Sequence, residues 1–79
     1  MNKVIVDKEF RFTGGETVEV SSEYGWVEAV VTKAWEVVIN TRTGEKGILY
    51  QVRFPDMPAT PEPYRNRLSV ATGRAIRAK

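Results

Sequence analysis

The 79-residue chain contains neither cysteine nor histidine. Those two absences exclude disulfide staples, thiolate and imidazole metal ligands, Cys–His pairs and Ser–His–Asp triads. Long apolar runs are missing as well, since none nears the ~20 residues a helix needs to span a bilayer. No membrane partner is therefore expected. Met1–Asp7 meets charge too early for the core of a signal peptide, so cytoplasmic residence is the expectation. Gly14-Gly15 and Gly44–Gly47 lack the strand–loop–helix context of a phosphate-binding loop. No spacing of Asp and Glu clusters oxygen ligands for a metal. Glu16, Glu19, Glu23, Glu28 and Glu36 could do acid–base work, but they alternate with apolar residues as a solvent face does. No catalytic residue, metal or cofactor is expected, and the chain does not read as an enzyme.

What is present is a half-apolar chain with displaced charge. Hydrophobic residues make up 42% and charged residues 28%, both ordinary for a folded domain. Residues 64–79 hold five bases (Arg65, Arg67, Arg74, Arg77 and Lys79) and no acid, while residues 1–63 hold seven bases against ten acids. An acidic body with a basic end suggests a binding surface.

Period-two alternation dominates the chain and predicts strands. Val4, Val6, Phe10 and Phe12 share one parity, and Gly14-Gly15 then turns the chain. Val18 and Val20 alternate with Thr17, Glu19 and Ser21 before the turn residues Ser21–Gly25. Val27, Ala29 and Val31 take one face, with Trp26, Glu28, Val30 and Thr32 on the other. The odd positions from Trp35 to Ile39 are again apolar, and Thr41–Gly47 supplies a hairpin loop. Ile48, Tyr50, Val52 and Phe54 then return on one side. Val27 to Phe54 reads as an antiparallel pair, bent or bulged near Ala34. A helix over Val27–Ile39 is opposed by its many β-branched residues.

All four prolines lie within Pro55–Pro63, which excludes a central strand there. The spacing of Pro55, Pro58 and Pro61 would align them on one face of a polyproline II segment, either a stiff crossing or a docking segment. Tyr64–Val70 reads as a last strand with Leu68 and Val70 inward. Ala71–Lys79 reads as a frayed tail or a short helix weakened by Gly73. No repeat and no second domain are visible. The expected fold is all-β: a small SH3-like barrel of about five antiparallel strands over residues 1–70, with a short basic C-terminal tail, 71–79. Closure suits so short a chain because it removes exposed edges.

Eight aromatics are too many to hide in so small a core. Trp26 follows Gly25 at a turn with its parity opposed to Val27–Val31, which would set it outside beside Tyr24. Exposed aromatics stack bases or enclose cations. Arg65 and Arg67, two apart, would share a strand face and could bridge phosphates, with Arg74, Arg77 and Lys79 continuing the track.

The order Gly15-Glu16-Thr17-Val18-Glu19-Val20, Gly25-Trp26-Val27-Glu28-Ala29-Val30-Val31, Tyr50-Gln51-Val52-Arg53-Phe54 and Arg67-Leu68 resembles a Tudor or Agenet domain over roughly residues 14–70. The resemblance implies an SH3-like barrel that reads methylated Lys or Arg, or an adaptor for protein or nucleic acid. It implies an aromatic cage at Tyr24 or Trp26 and at Tyr50 or Phe54, with Asp56 as the acidic residue after the third strand. The chain departs from the pattern in a longer hairpin around Arg42–Gly47 and in Pro55–Pro63, which replaces the tight turn. The expected function is a non-enzymatic protein-interaction module, such as an accessory or inhibitor protein of bacterial or phage type. Its aromatic surface would be Tyr24, Trp26, Trp35, Tyr50, Phe54 and Asp56. The alternative is a nucleic-acid-binding barrel that uses Arg65, Arg67, Arg74, Arg77 and Lys79.

Overall fold

Alternating β-branched and polar residues build the sheet, and a few turn residues set where each strand stops. A computed structural model describes residues 9–79. Its strands are β1 (Thr17–Ser22), β2 (Gly25–Asn40), β3 (Glu45–Arg53), β4 (Leu68–Thr72) and β5 (Ile76–Ala78). All pair antiparallel in one sheet of order β4-β3-β2-β1-β5. Two short 3-10 turns, Glu62–Tyr64 and Gly73–Ala75, flank β4.

The β1–β2 turn works through Ser22, whose hydroxyl accepts from the Tyr24 N–H at 3.0 Å and donates to the Gly25 carbonyl at 2.8 Å. Gly25 completes it at φ 88°, a conformation that side chains disfavour. In the second hairpin the Asn40 Oδ1 accepts from the Arg42 N–H at 3.0 Å, an Asx turn.

The core lies on the inward parity. Val18 and Val20 meet Val27, Ala29 and Val31, which meet Ile48, Tyr50 and Val52, with Phe12, Phe54, Ala71 and Ile76 closing the ends. Strand β2 carries an extra residue at Thr32, where the register slips between Val31↔Val52 and Lys33↔Gln51. The Thr32 hydroxyl donates to Gln51 at 2.9–3.2 Å and holds the bulge. One inserted residue exchanges the faces. Ala34 now stands opposite buried Tyr50, and Trp35 stands opposite Leu49 on the outer face. The expected bulge thus occurs two residues earlier than Ala34.

Three expectations are corrected. Leu68 and Val70 pair with outward Arg53 and Gln51, so they point out of the core, 60% and 53% exposed; Ala71, opposite Tyr50, points in. Residues 71–79 are neither a tail nor an α-helix. They hold the end of β4, a 3-10 turn and β5, which pairs Ile76–Ala78 with Val18–Val20 and buries Ile76 to 2% exposure. Five strands are present, but the fifth is β5 instead of an N-terminal strand: residues 9–12 form none, and Phe10 is exposed while Phe12 is buried. Val4 and Val6 lie outside the described residues.

Strands β4 and β5 end the sheet on opposite sides, yet only Gly73–Ala75 join them. Four residue steps reach at most about 15 Å, whereas a flat five-stranded sheet is about 19 Å wide. The sheet must therefore curl until its edges approach. Among the described residues no ladder joins those edges. Pro55–Pro61 is not a continuous polyproline helix either. It turns at Met57–Thr60, where the Thr60 N–H donates to the Met57 carbonyl at 2.9 Å.

Candidate binding cleft

Where the curled edges approach, β4 and the end of β1 leave an open cleft of about 290 Å³. Val20, Ser21 and Ser22 form one wall and Arg67 to Ala71 the other, with Phe54 and Tyr64 at one end. Phe54 and Tyr64 stack at 5.1 Å between ring centroids, and Tyr24 meets Tyr64 edge-on at 5.4 Å. The Tyr64 ring is set by the 3-10 turn, where its N–H donates to the Pro61 carbonyl at 2.9 Å. Tyr24, 54% exposed at the tip of the β1–β2 turn, is the free end of this aromatic row.

The six residues expected to form an aromatic surface do not come together. Tyr50 is fully buried: its inward parity on β3 sets it against Phe12 at 5.6 Å, and its hydroxyl accepts from the Arg11 N–H at 3.0 Å. It is core, not surface. Phe54 is also buried and contributes to the cleft only through its stack with Tyr64. Trp26 is outside, as its parity implies, but the Arg77 guanidinium covers its ring at 4.0 Å. Trp35 is half-buried on the outer face, with the Lys33 ammonium 5.3 Å from its ring. Asp56 is exposed in the proline segment and does not line the cleft.

The basic residues separate in the same way. Arg77 sits opposite Glu19 and its Nε donates to the carboxylate at 3.0 Å; Lys79 pairs with Glu28. These acids, read as a plain solvent face, are thus the counter-ions of the basic end. Arg65 is turned back on its own loop, donating to the Thr60 carbonyl at 2.9 Å and the Pro58 carbonyl at 3.4 Å. Arg65 and Arg67 therefore share no strand face, because β4 begins only at Leu68. Arg67 lines the cleft with no side-chain partner among the described residues, and Arg74 is exposed.

Sequence reasoning left Tyr64 out of the site, and it missed Leu68 and Val70 as surface residues. Their signal was the alternation Leu68-Ser69-Val70-Ala71-Thr72, which has two possible phases. Size favoured the larger residues as core, and only the pairing with Tyr50 selects Ala71 instead. Among the described residues no group of three or more Asp or Glu could hold a metal ion, and no helix is long and apolar enough to cross a membrane.

The chain is a small all-β protein whose single antiparallel sheet curls around one core. Comparison with models of known families, with curated proteins and with solved structures yields no match, and none identifies a Tudor or Agenet domain.

Proposed function

We propose that the protein is a non-enzymatic protein-binding module whose site is the cleft between β4 and the end of β1. The observation that carries this reading is the exposure of Leu68 and Val70 on the cleft wall, beside the Tyr24–Tyr64 row. Apolar side chains that form a contiguous exposed patch mark an interaction site, whereas singly scattered ones do not. Tyrosines add contact area at low entropic cost.

The geometry supports the methyl-reader form of this function less well. Tyr50 and Phe54 are in the core, and the Trp26 face already holds a cation of its own chain. It supports nucleic acid less well too, because Arg65, Arg77 and Lys79 are engaged within the molecule. The test is an amide chemical-shift map of the protein with peptides selected from a displayed library of random ten-residue segments. Shifts at Ser21–Tyr24, Tyr64 and Leu68–Thr72 are expected. Selection of no peptide, or shifts confined to Trp26 and β5, would refute the reading.

A further inference from the structure

We infer that the cleft takes an extended acidic segment of a partner protein by strand addition to the edge of β4 that no described residue pairs, with a partner carboxylate on Arg67. The inference rests on the cleft being the binding site and names how the partner is recognised there.

The two edges of the sheet are not alike. Natural edge strands are blunted by charge, proline, bulges or shortness, since an open row of N–H and C=O groups invites pairing. The β5 edge is guarded in this way: it is three residues long, bears Arg77 and is followed by Lys79. The β4 edge, Leu68-Ser69-Val70-Ala71-Thr72, has no charge and no proline, and its ladder to β3 is in unbroken register. The Phe54 N–H donates to the Arg67 carbonyl at 3.0 Å, which sets the phase of that ladder. By alternation the backbone groups of Leu68, Val70 and Thr72 point to the free side, toward the cleft. An extended chain laid there would bond to that edge while its side chains met Leu68 and Val70 on one face.

Charge selects the occupant. Arg67 is the single charged residue lining the cleft and has no side-chain partner among the described residues. A second copy of this chain fits poorly. Two β4 strands paired antiparallel about Val70 would set Arg67 of each copy beside Gly73 and Arg74 of the other, placing like charges across the joint. An acidic residue flanking a run of alternating Val, Ile or Thr satisfies both the edge and the guanidinium.

A displayed library of random ten-residue segments, panned in parallel on the wild type and on Arg67→Glu, tests this. Arg67 is exposed, so both proteins should melt alike. The wild type is expected to enrich Asp or Glu next to alternating β-branched residues, and Arg67→Glu to enrich Lys or Arg at the same place. For the best synthetic peptide, Arg67→Glu should weaken binding about ten- to a hundredfold, and exchanging the peptide's acid for lysine should restore it. Methylating alternate backbone nitrogens of the peptide should abolish binding, as should Val70→Lys on the protein. Peptides that shift cleft amides but carry no acid, or that tolerate backbone methylation, would overturn this inference and leave the binding module standing. A concentration-dependent dimer lost on Val70→Lys would overturn it in favour of a second copy. Selection of nothing at the cleft would overturn both readings.

Discussion

Truncating Ile76 separates a structural C-terminus from a loose one. Ile76 opens the three-residue strand β5, is 2% exposed and packs in the same core as Val18 and Val20. Ile76→Ala removes three carbons, or about 2.4 kcal/mol at ~0.8 kcal/mol per buried CH₂. An unfilled cavity adds to this, so the total should lie within about 2–5 kcal/mol. A domain of this size has roughly 4–12 kcal/mol of stability in all. A loss of 3 kcal/mol would lower Tm by about 12–24 °C. Urea unfolding followed by tryptophan fluorescence should show a lower midpoint with an unchanged slope. Arg77→Ala and Lys79→Ala remove exposed pairs from the same three-residue strand and its flank, and each should cost no more than about 1 kcal/mol. A change below about 0.5 kcal/mol for Ile76→Ala would refute the argument, because that is the response of a surface tail.

Further outcomes follow from particular contacts. Gly25→Ala should cost about 1–2 kcal/mol by thermal melting, purely from its φ of 88°, since an added Cβ meets nothing within 4 Å. Gly14→Ala should be destabilising for a different reason, because its Cβ would lie 3.1 Å from the Thr32 carbonyl oxygen and press on the bulge; unchanged hydrogen exchange at Thr32–Lys33 would count against this. Tyr50→Phe should lose about 1–2 kcal/mol by leaving the Arg11 N–H without that acceptor, and a neutral result in urea unfolding would show that water replaces it. Arg77→Ala with Lys79→Ala should leave any affinity for single-stranded DNA within about twofold; a tenfold loss with steep inverse salt dependence would favour the nucleic-acid alternative over the protein-binding reading.

Much of the sheet was legible along the chain. Val18, Val20, Val27, Ala29, Val31, Ile48 and Val52 read as the apolar sides of three strands and form one buried face, which Tyr50 joins although it was expected in the aromatic surface. Regular alternation carries that information as long as no residue is inserted. The bulge position was not legible: the extra residue at Thr32 moves Lys33 to Val38 to the opposite faces, a second slip follows before Asn40, and a bulge has no composition of its own. The candidate site was less legible. Tyr24 and Trp26 are both exposed, as the parity of Trp26 allows, yet what covers Trp26 is Arg77, fifty-one positions away. The exposed wall of Leu68 and Val70 depends on which of two phases β4 adopts against β3.

By itself, then, the sequence determined that this is a small all-β protein, where the turns joining β1, β2 and β3 fall and which faces of β1, β3 and the first part of β2 are wet, because these follow from side-chain alternation and local backbone preference. The absence of cysteine and histidine likewise removed whole classes of chemistry. Only the tertiary structure decided that residues 71–79 belong to the sheet, that Glu19 and Glu28 answer Arg77 and Lys79, and that Arg67 faces a cleft beside an unguarded edge. The physical reason is common to all three. Each depends on pairings between residues far apart in the chain, and a curled sheet sets those through its register, which no local pattern of residues encodes.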